Sequence, residues 1–258
     1  NLCQSLSCGE EYYFQIDSHM LFDPDWDQIL IDHYENLKQY HEKPIITSYP
    51  SGFECVDDDI LDLKKHKCDS DRTLVLVPDK NCAFLEEKNY ENYYVGINSK
   101  ILDTNFPVHG FLISANFLFS SSTIIEEVPY DPFLFFSGEE HSLALRLFTN
   151  GYNIFHIPNI PVYHHYGRNY RTTIWSDEKI DEQKQMRWWQ LDFLSKLRLK
   201  DICQGKTGVY GLGLSRSLHQ YINLTGIDYY SRMIHPKAET GDHIFEIQIG
   251  RAVQQECR

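Results

Sequence analysis

Asp17 and His19 could bind one cation together, because a single residue separates them. They follow residues 12–16, an aromatic and β-branched run that predicts a strand buried on both faces and places the pair at its carboxyl end. Carboxylate and imidazole groups bind divalent cations, and such a cation offsets the charge that builds on a leaving diphosphate. The spacing also fits a turn capped by Asp17 with an ordinary loop histidine, so both interpretations stay open.

Glu139 and Glu140 begin a predicted helix. Residues 137–140 have the form of a capping box, the residues that follow have an apolar stripe at helical spacing, and Gly151 is a natural C-terminal stop. Because ligand sites of α/β proteins lie at element boundaries, the two carboxylates are candidate catalytic groups. Glu140 has an equally good structural role as the glutamate of the capping box.

His164 and His165 follow the strand-like pair of residues 162 and 163. Side chains alternate between the two faces of a strand, so we expect one of these histidines at most to reach a shared site. A single histidine at a strand end is more often structural than a ligand. The local pattern does not choose between the two.

The wider pattern alternates strands with helices and favours an α/β layer. Behind Asp25, apolar residues at helical spacing predict a helix with an Asp cap and Pro24 in its entry turn. A further helix is predicted over residues 177–200. Pro50 is predicted to end a strand at residues 45–47, and Pro78 is predicted to end a strand at residues 74–77. Strands are predicted at residues 45–47, 74–77, 154–157 and 161–163, with further apolar runs at 109–115 and 117–119.

The composition limits the classes of protein that are compatible with this chain. A length of 258 residues with 42% hydrophobic content allows one substantial core in one or at most two domains. The formal charge of -13 opposes binding to nucleic acid, because 24 Lys and Arg face 37 Asp and Glu. No apolar run reaches the roughly 18 residues of a membrane span. Seven cysteines without a CxxC pair are interpreted mostly as thiols.

Five segments carry a family resemblance over most of residues 1–230. They resemble the GlcNAc-transferase family that modifies hydroxyproline on a polypeptide, and they read YYFQIDSHMLFDPDWD, HGFLISANFLF, EVPYDPFLFFSGEEHSLALRLFTNGYNIFHIPN, VYHHYGR and YGLGLSRSLHQY. The resemblance implies a GT-A glycosyltransferase fold, which we assign to residues 1–234. Beyond residue 234 the composition turns polar without a firm periodic element, so residues 235–258 are interpreted as a polar C-terminal tail, with a loosely attached strand as the alternative. Relatives carry uridine-binding strands ahead of the Asp-x-His motif, and we expect those strands to be missing from this chain.

The same family is similar to the polypeptide GalNAc-transferases, which bind manganese through an Asp-x-His motif and a distant histidine. This similarity implies a Mn²⁺ site, or a site for another divalent cation, made by Asp17, His19 and His164. The third ligand lies a fixed distance beyond the Gly-Glu pair, and counting from residues 138–139 ends on His164 rather than on His165.

The resemblance also implies the donor contacts. Asp17, His109, Gly110 and Glu139 are the expected donor-binding residues, with Glu139 bonding to sugar hydroxyls and His109 replacing the first glycine of a glycine pair. The expected reaction is a retaining transfer of GlcNAc from UDP-GlcNAc to a hydroxyl of a protein acceptor. Some relatives act in the cytoplasm, so the cytoplasm is slightly favoured over the Golgi.

Two other functions stay open. One is a non-catalytic relative that serves as a protein-interaction module, and manganese-dependent UDP binding would distinguish it from a transferase. The other is a metal hydrolase, because the same ligand types can activate water.

Overall fold

The computed structural model describes residues 2–56, 59–66, 72–85, 91–167 and 187–241. The strands are β1 (Tyr12–Ile16), β2 (Met20–Phe22), β3 (Pro44–Thr47), β4 (Ser51–Val56), β5 (Asp59–Lys65), β6 (Thr73–Ala83), β7 (Val95–Leu102), β8 (Val108–Gly110), β9 (Phe117–Ser121), β10 (Asn153–His156), β11 (Val162–His164), β12 (Ile227–Asp228) and β13 (Met233–Ile234). The helices are α1 (Trp26–Lys38), α2 (Thr123–Glu127), α3 (Glu139–Thr149), α4 (Trp188–Cys203), α5 (Leu218–Thr225) and α6 (Pro236–Thr240), and a short 3-10 helix covers Gln4–Leu6.

A five-stranded sheet in the order β1-β9-β3-β10-β8 forms the centre of a mixed α/β fold. Its strands β3 and β10 run parallel, and its other neighbours pair antiparallel. A second sheet has the order β2-β11-β4-β5, in which β11 pairs antiparallel with β2 and parallel with β4. The ribbons β6-β7 and β12-β13 complete the strand pairs.

Both faces of the central sheet are buried. Successive residues of a strand point to opposite faces, and on β3 Ile45 packs with Leu143 and Leu147 of α3, whereas Ile46 packs with Leu30 and Tyr34 of α1. The sheet therefore lies between two helical layers, as the alternating pattern predicts. Within the described part of the chain, no helix has the length and apolar character needed to span a bilayer.

Strand β1 differs from its prediction. It lies at an edge of the five-stranded sheet, its first four residues are half-buried and Ile16 is exposed, so the predicted burial on both faces is wrong. Tyr12 and Phe14 pack on the α1 side of the sheet, where Phe14 contacts Phe117 and Trp26, whereas Tyr13 packs on the α3 side.

A proline and an aspartate that were predicted to bound two other elements do not have the predicted roles. Pro78 does not close its strand, because β6 continues to Ala83 in a two-stranded ribbon where a missing N–H is tolerated. Asp25 precedes α1 with a φ of 57° and makes no side-chain cap, so the helix prediction is confirmed while its cap is wrong.

The C-terminal elements only partly match their predictions. The helix predicted over residues 177–200 is described from Trp188 onward, and residues 177–186 lie outside the described residues. Within the expected polar tail, Pro236–Thr240 form α6, which buries Ala238 and packs on β6. Residues 242–258 lie outside the described part, and the domain boundary at residue 234 stays a prediction.

Candidate active site

The turn between β1 and β2 carries Asp17 and His19. Strand β1 ends at Ile16 and β2 begins at Met20, so the two side chains lie in a short connection between the two sheets. The N–H of His165 donates to the carbonyl of His19 at 3.1 Å, which ties this turn to the end of β11.

His164 is the residue of β11 that meets this turn. Its Nε2 lies 3.1 Å from Oδ2 of Asp17, and Nε2 of His19 lies 3.7 Å from the same oxygen. One ligand atom from each of the three residues falls within 4.8 Å of the others. Ligand atoms at about 2.1 Å from a metal ion lie about 3.0 to 3.4 Å apart around it, so the cluster could hold a divalent cation after small side-chain shifts.

The bonding of His164 differs from that of a structural histidine in the same protein. His156 is fully buried and has both ring nitrogens partnered, Nδ1 with the carbonyl of Thr47 at 2.7 Å and Nε2 with the N–H of Leu76 at 3.4 Å. His164 is buried as well, yet its Nδ1 has no hydrogen-bond partner in the described structure and its Nε2 meets Asp17. The Nε2 of His164 thus faces a carboxylate and lies beside the imidazole of His19 rather than meeting backbone groups, as a cation ligand would.

His165 lies outside the three-residue cluster. Its ring packs 5.3 Å from that of Phe53, on the other side of β11. The structure thus places His164, rather than its neighbour, beside Asp17.

Glu139 and Glu140 begin α3 behind Gly138, whose φ is 84°. The predicted helix is confirmed, but the capping box does not form, because Gly138 is the N-cap and no side chain caps the helix. Glu140 instead accepts a hydrogen bond from the N–H of Ala115 at 2.8 Å. The carboxylate of Glu140 therefore stabilises the loop at Ala115 rather than the N-terminus of its own helix.

The two glutamates share an electrostatic environment with Asp17. Burial raises the pKa of Glu139 to about 7, and the charges of Glu140 and Asp17 add to this rise. Burial also raises the pKa of Glu140 to about 7, with a further contribution from Asp17 and an opposing one from the Ala115 hydrogen bond. Carboxyl groups whose pKa values are raised towards neutral pH, next to a possible cation site, are typical of functional sites.

A family model described as a GlcNAc glycosyltransferase matches residues 1–231. The chain belongs to this family of glycosyltransferases that transfer GlcNAc. The matched range includes Asp17, Glu139, Glu140 and His164. A search of curated proteins finds no match.

In this GlcNAc glycosyltransferase, Gln15 and Thr47 hold the loop that Glu140 contacts. Nε2 of Gln15 donates to the carbonyl of Ala115 at 2.8 Å, and Oγ1 of Thr47 accepts from the N–H of Ser114 at 2.9 Å. Gln15 lies on β1, two residues before Asp17, so the same strand positions both this loop and the cation cluster. Gln15 is not among the predicted site residues, although an amide within an apolar run is a signal that could have identified it.

The glycosyltransferase keeps His109 and Gly110 away from this cluster. They lie on β8, the edge of the central sheet opposite β1, four strand spacings of about 4.8 Å away. His109 is buried against the ring of Phe155, and a Cβ on Gly110 would lie 2.2 Å from Nε2 of His156. These residues line a separate cavity of about 440 Å³ with Arg216, so the structure does not bring them together with the other expected donor contacts.

Proposed function

We propose that this protein is a retaining glycosyltransferase of GT-A fold that transfers GlcNAc from UDP-GlcNAc to a hydroxyl group of a protein acceptor. The observation that carries the proposal is the convergence of Asp17 and His19, from the β1–β2 connection, with His164 of β11, in a chain of the GlcNAc glycosyltransferase family. The resemblance of its motifs favours hydroxyproline as the acceptor residue and Mn²⁺ as the cation.

In the proposed site, the Asp17 carboxylate and the imidazoles of His19 and His164 would hold the cation. When bound, the cation offsets the negative charge that develops as UDP leaves. The acceptor oxygen bonds to C1 of GlcNAc, UDP departs with the electron pair of the broken C1–O bond, and the hydroxyl proton passes to the departing phosphate.

The proposal separates the roles of the two glutamates. Glu139 accepts hydrogen bonds from hydroxyls of the donor sugar, which its place at the start of α3 near Asp17 allows. Glu140 positions residues 114–116, because one of its oxygens already accepts from Ala115. His109 and Gly110 receive no donor contact in this proposal, since they lie at the opposite edge of the sheet.

Calorimetric titration with UDP-GlcNAc, with and without Mn²⁺, tests the proposal. We expect manganese-dependent binding by the parent chain and its loss in Asp17→Ala and His164→Ala. His165→Ala is the matched control, because its ring lies outside the cluster, and it should bind as the parent does. No binding by the parent would favour a non-catalytic interaction protein, and UDP release without an acceptor at the rate of transfer would favour a hydrolase.

A further inference from the structure

A cavity of about 400 Å³ opens beside the strand that carries His164. Its walls include Tyr49, Gly52, His66, Ile101 and Tyr166. This volume lies within the usual range for ligand pockets, about 300 to 1,000 Å³. We refer to the space between these five residues as the β4 cavity, because Gly52 belongs to β4.

The β4 cavity shares a wall with the cation cluster. In the parallel pairing of β4 and β11, Gly52 is the partner of His164. The ring of Tyr166 lies 4.2 Å from that of His164, and its hydroxyl donates to the carbonyl of Pro50 at 2.8 Å. The phenol is thus fixed between the cavity and a candidate metal ligand.

The opposite wall approaches the helix that carries the glutamates. Tyr49 is half-buried and lies within electrostatic reach of Glu140, because that carboxylate adds to the rise in the pKa of Tyr49 that burial causes. The wall formed by Tyr49 is therefore electrostatically coupled to the start of α3.

The chemistry of the walls favours an uncharged ligand with a ring. Among the described residues that line the β4 cavity, none is Asp, Glu, Lys or Arg. Burying a charge without a partner is costly, so such walls disfavour an ionised group. Aromatic side chains offer flat apolar faces, and proline-containing segments dock in grooves that they line.

The retaining mechanism favours the acceptor, rather than the donor, as the occupant of the β4 cavity. In the proposed mechanism, the acceptor attacks the face of the sugar that the diphosphate leaves, so the acceptor has to lie beside the cation. A diphosphate carries several negative charges, and His66 is the one imidazole among the described lining residues that could pair with them, whereas an acceptor residue with a hydroxylated saturated ring carries no charge to pair.

We propose that the β4 cavity seats the acceptor residue, a hydroxylated pyrrolidine ring of the polypeptide, with the ring against Tyr166 and its hydroxyl towards the cation cluster. This inference rests on the proposed function. It assigns acceptor specificity to residues of β4, β7 and the segment after β11.

Kinetics with a synthetic peptide that carries one 4-hydroxyproline between uncharged residues test the inference. Ile101→Asp places a carboxylate in the wall at a position 53% exposed, where the fold tolerates it. We expect the KM for the peptide to rise about tenfold or more, with manganese-dependent UDP binding unchanged. Phe106→Asp is the matched control, because Phe106 is 67% exposed and does not line the cavity, and its KM should equal that of the parent.

Gly52 provides a second, steric test. A Cβ at this position would lie 3.6 Å from Cδ2 of Tyr166 and 3.7 Å from Cδ2 of His66, which is ordinary contact, so Gly52→Ala should fold. Gly52→Val adds two methyl groups beyond the Cβ of the alanine variant. We expect the peptide KM to increase from parent to Ala to Val, with UDP binding retained.

The outcomes separate this inference from the proposed function. A parental peptide KM in both Ile101→Asp and Gly52→Val would overturn the inference, as would a parallel loss of UDP binding, which would assign the cavity to the donor. Parent protein that binds UDP but transfers to no hydroxyprolyl peptide would also overturn it while the cation site stands. Absence of UDP binding by the parent protein would contradict the proposed function and, with it, this inference.

Discussion

Nε2 of His164 lies 3.1 Å from Oδ2 of Asp17, although 147 positions separate the two residues in the chain. The contact depends on the antiparallel pairing of β2 with β11, in which Met20 is the partner of His164. A carboxylate and an imidazole at this distance share either a proton or a cation. The distinction can be measured by adding the cation.

Manganese should raise the melting temperature of the parent chain. A ligand at 100 times its Kd stabilises the folded state by about 2.7 kcal/mol, which corresponds to several degrees for a chain of this length. Thermal unfolding of Asp17→Ala should show no such rise, and His165→Ala should show the full rise. An equal shift in Asp17→Ala would mean that the cation binds elsewhere.

Gly138→Ala should destabilise the fold by about 2 to 4 kcal/mol in urea unfolding. The residue has a φ of 84°, and an added Cβ would lie 2.8 Å from Cδ2 of the buried Leu199, so backbone strain and overpacking add. Gly205→Ala is the control, because Gly205 has a φ of 100° with nothing within 4 Å of the added Cβ. That variant should lose only about 1 kcal/mol, and equal losses in the two would refute the packing contribution.

Glu139 and Glu140 should make stability fall as pH rises from about 4.5 to about 7. Their pKa values are raised from 4.5 to about 7, so in this window the folded protein keeps protons that the unfolded chain has released. The unfolding free energy then decreases with pH, by at most about 1.4 kcal/mol per pH unit for each full proton difference, and levels off above pH 7.

Urea unfolding at pH 5, 6 and 7, with a chelator present to remove divalent cations, measures how the free energy of unfolding depends on pH. Glu139→Gln should flatten the slope and raise stability at pH 7, because its amide does not ionise. Glu126→Gln, at an exposed position of α2, should keep the parental slope. An unchanged slope in Glu139→Gln would contradict the prediction.

Glu140→Ala should weaken the protein more than Glu140→Gln. The alanine variant leaves the N–H of Ala115 without its acceptor, at a cost of about 1 kcal/mol, whereas glutamine keeps an oxygen at that position. Urea unfolding at pH 8, where the glutamate is ionised in both states, isolates this bond from proton linkage. Equal stability of the two variants would show that the loop does not depend on it.

Much of the fold followed from local patterns. The helix from Glu139 was predicted from its apolar stripe and its terminal glycine, and the strand at residues 45–47 from its β-branched residues, because both signals depend on near neighbours. The Asp-x-His turn was likewise placed correctly at the end of β1.

The remaining features depend on contacts between distant segments. The Ser-x-x-Glu pattern predicted a capping box, but the helix is capped by Gly138 and the carboxylate of Glu140 accepts from the distant Ala115 instead. The pairing of β11 with β2 and β4 selects His164, and no local pattern could choose it over His165. The position of β8 at the far edge of the sheet, which separates His109 from the cluster, is equally non-local.

The order β1-β9-β3-β10-β8 has a consequence for synthesis of the protein. None of the strands that are neighbours in this sheet is adjacent in the chain, so β1 and β3 have no partner in it until β9 has been made, and β8 waits for β10. On the ribosome, the sheet can be completed only after residue 156 emerges, because β10 joins β3 to β8. Until then the aromatic faces of β1 and α1 lack their cover, which makes the growing chain a natural client for chaperones.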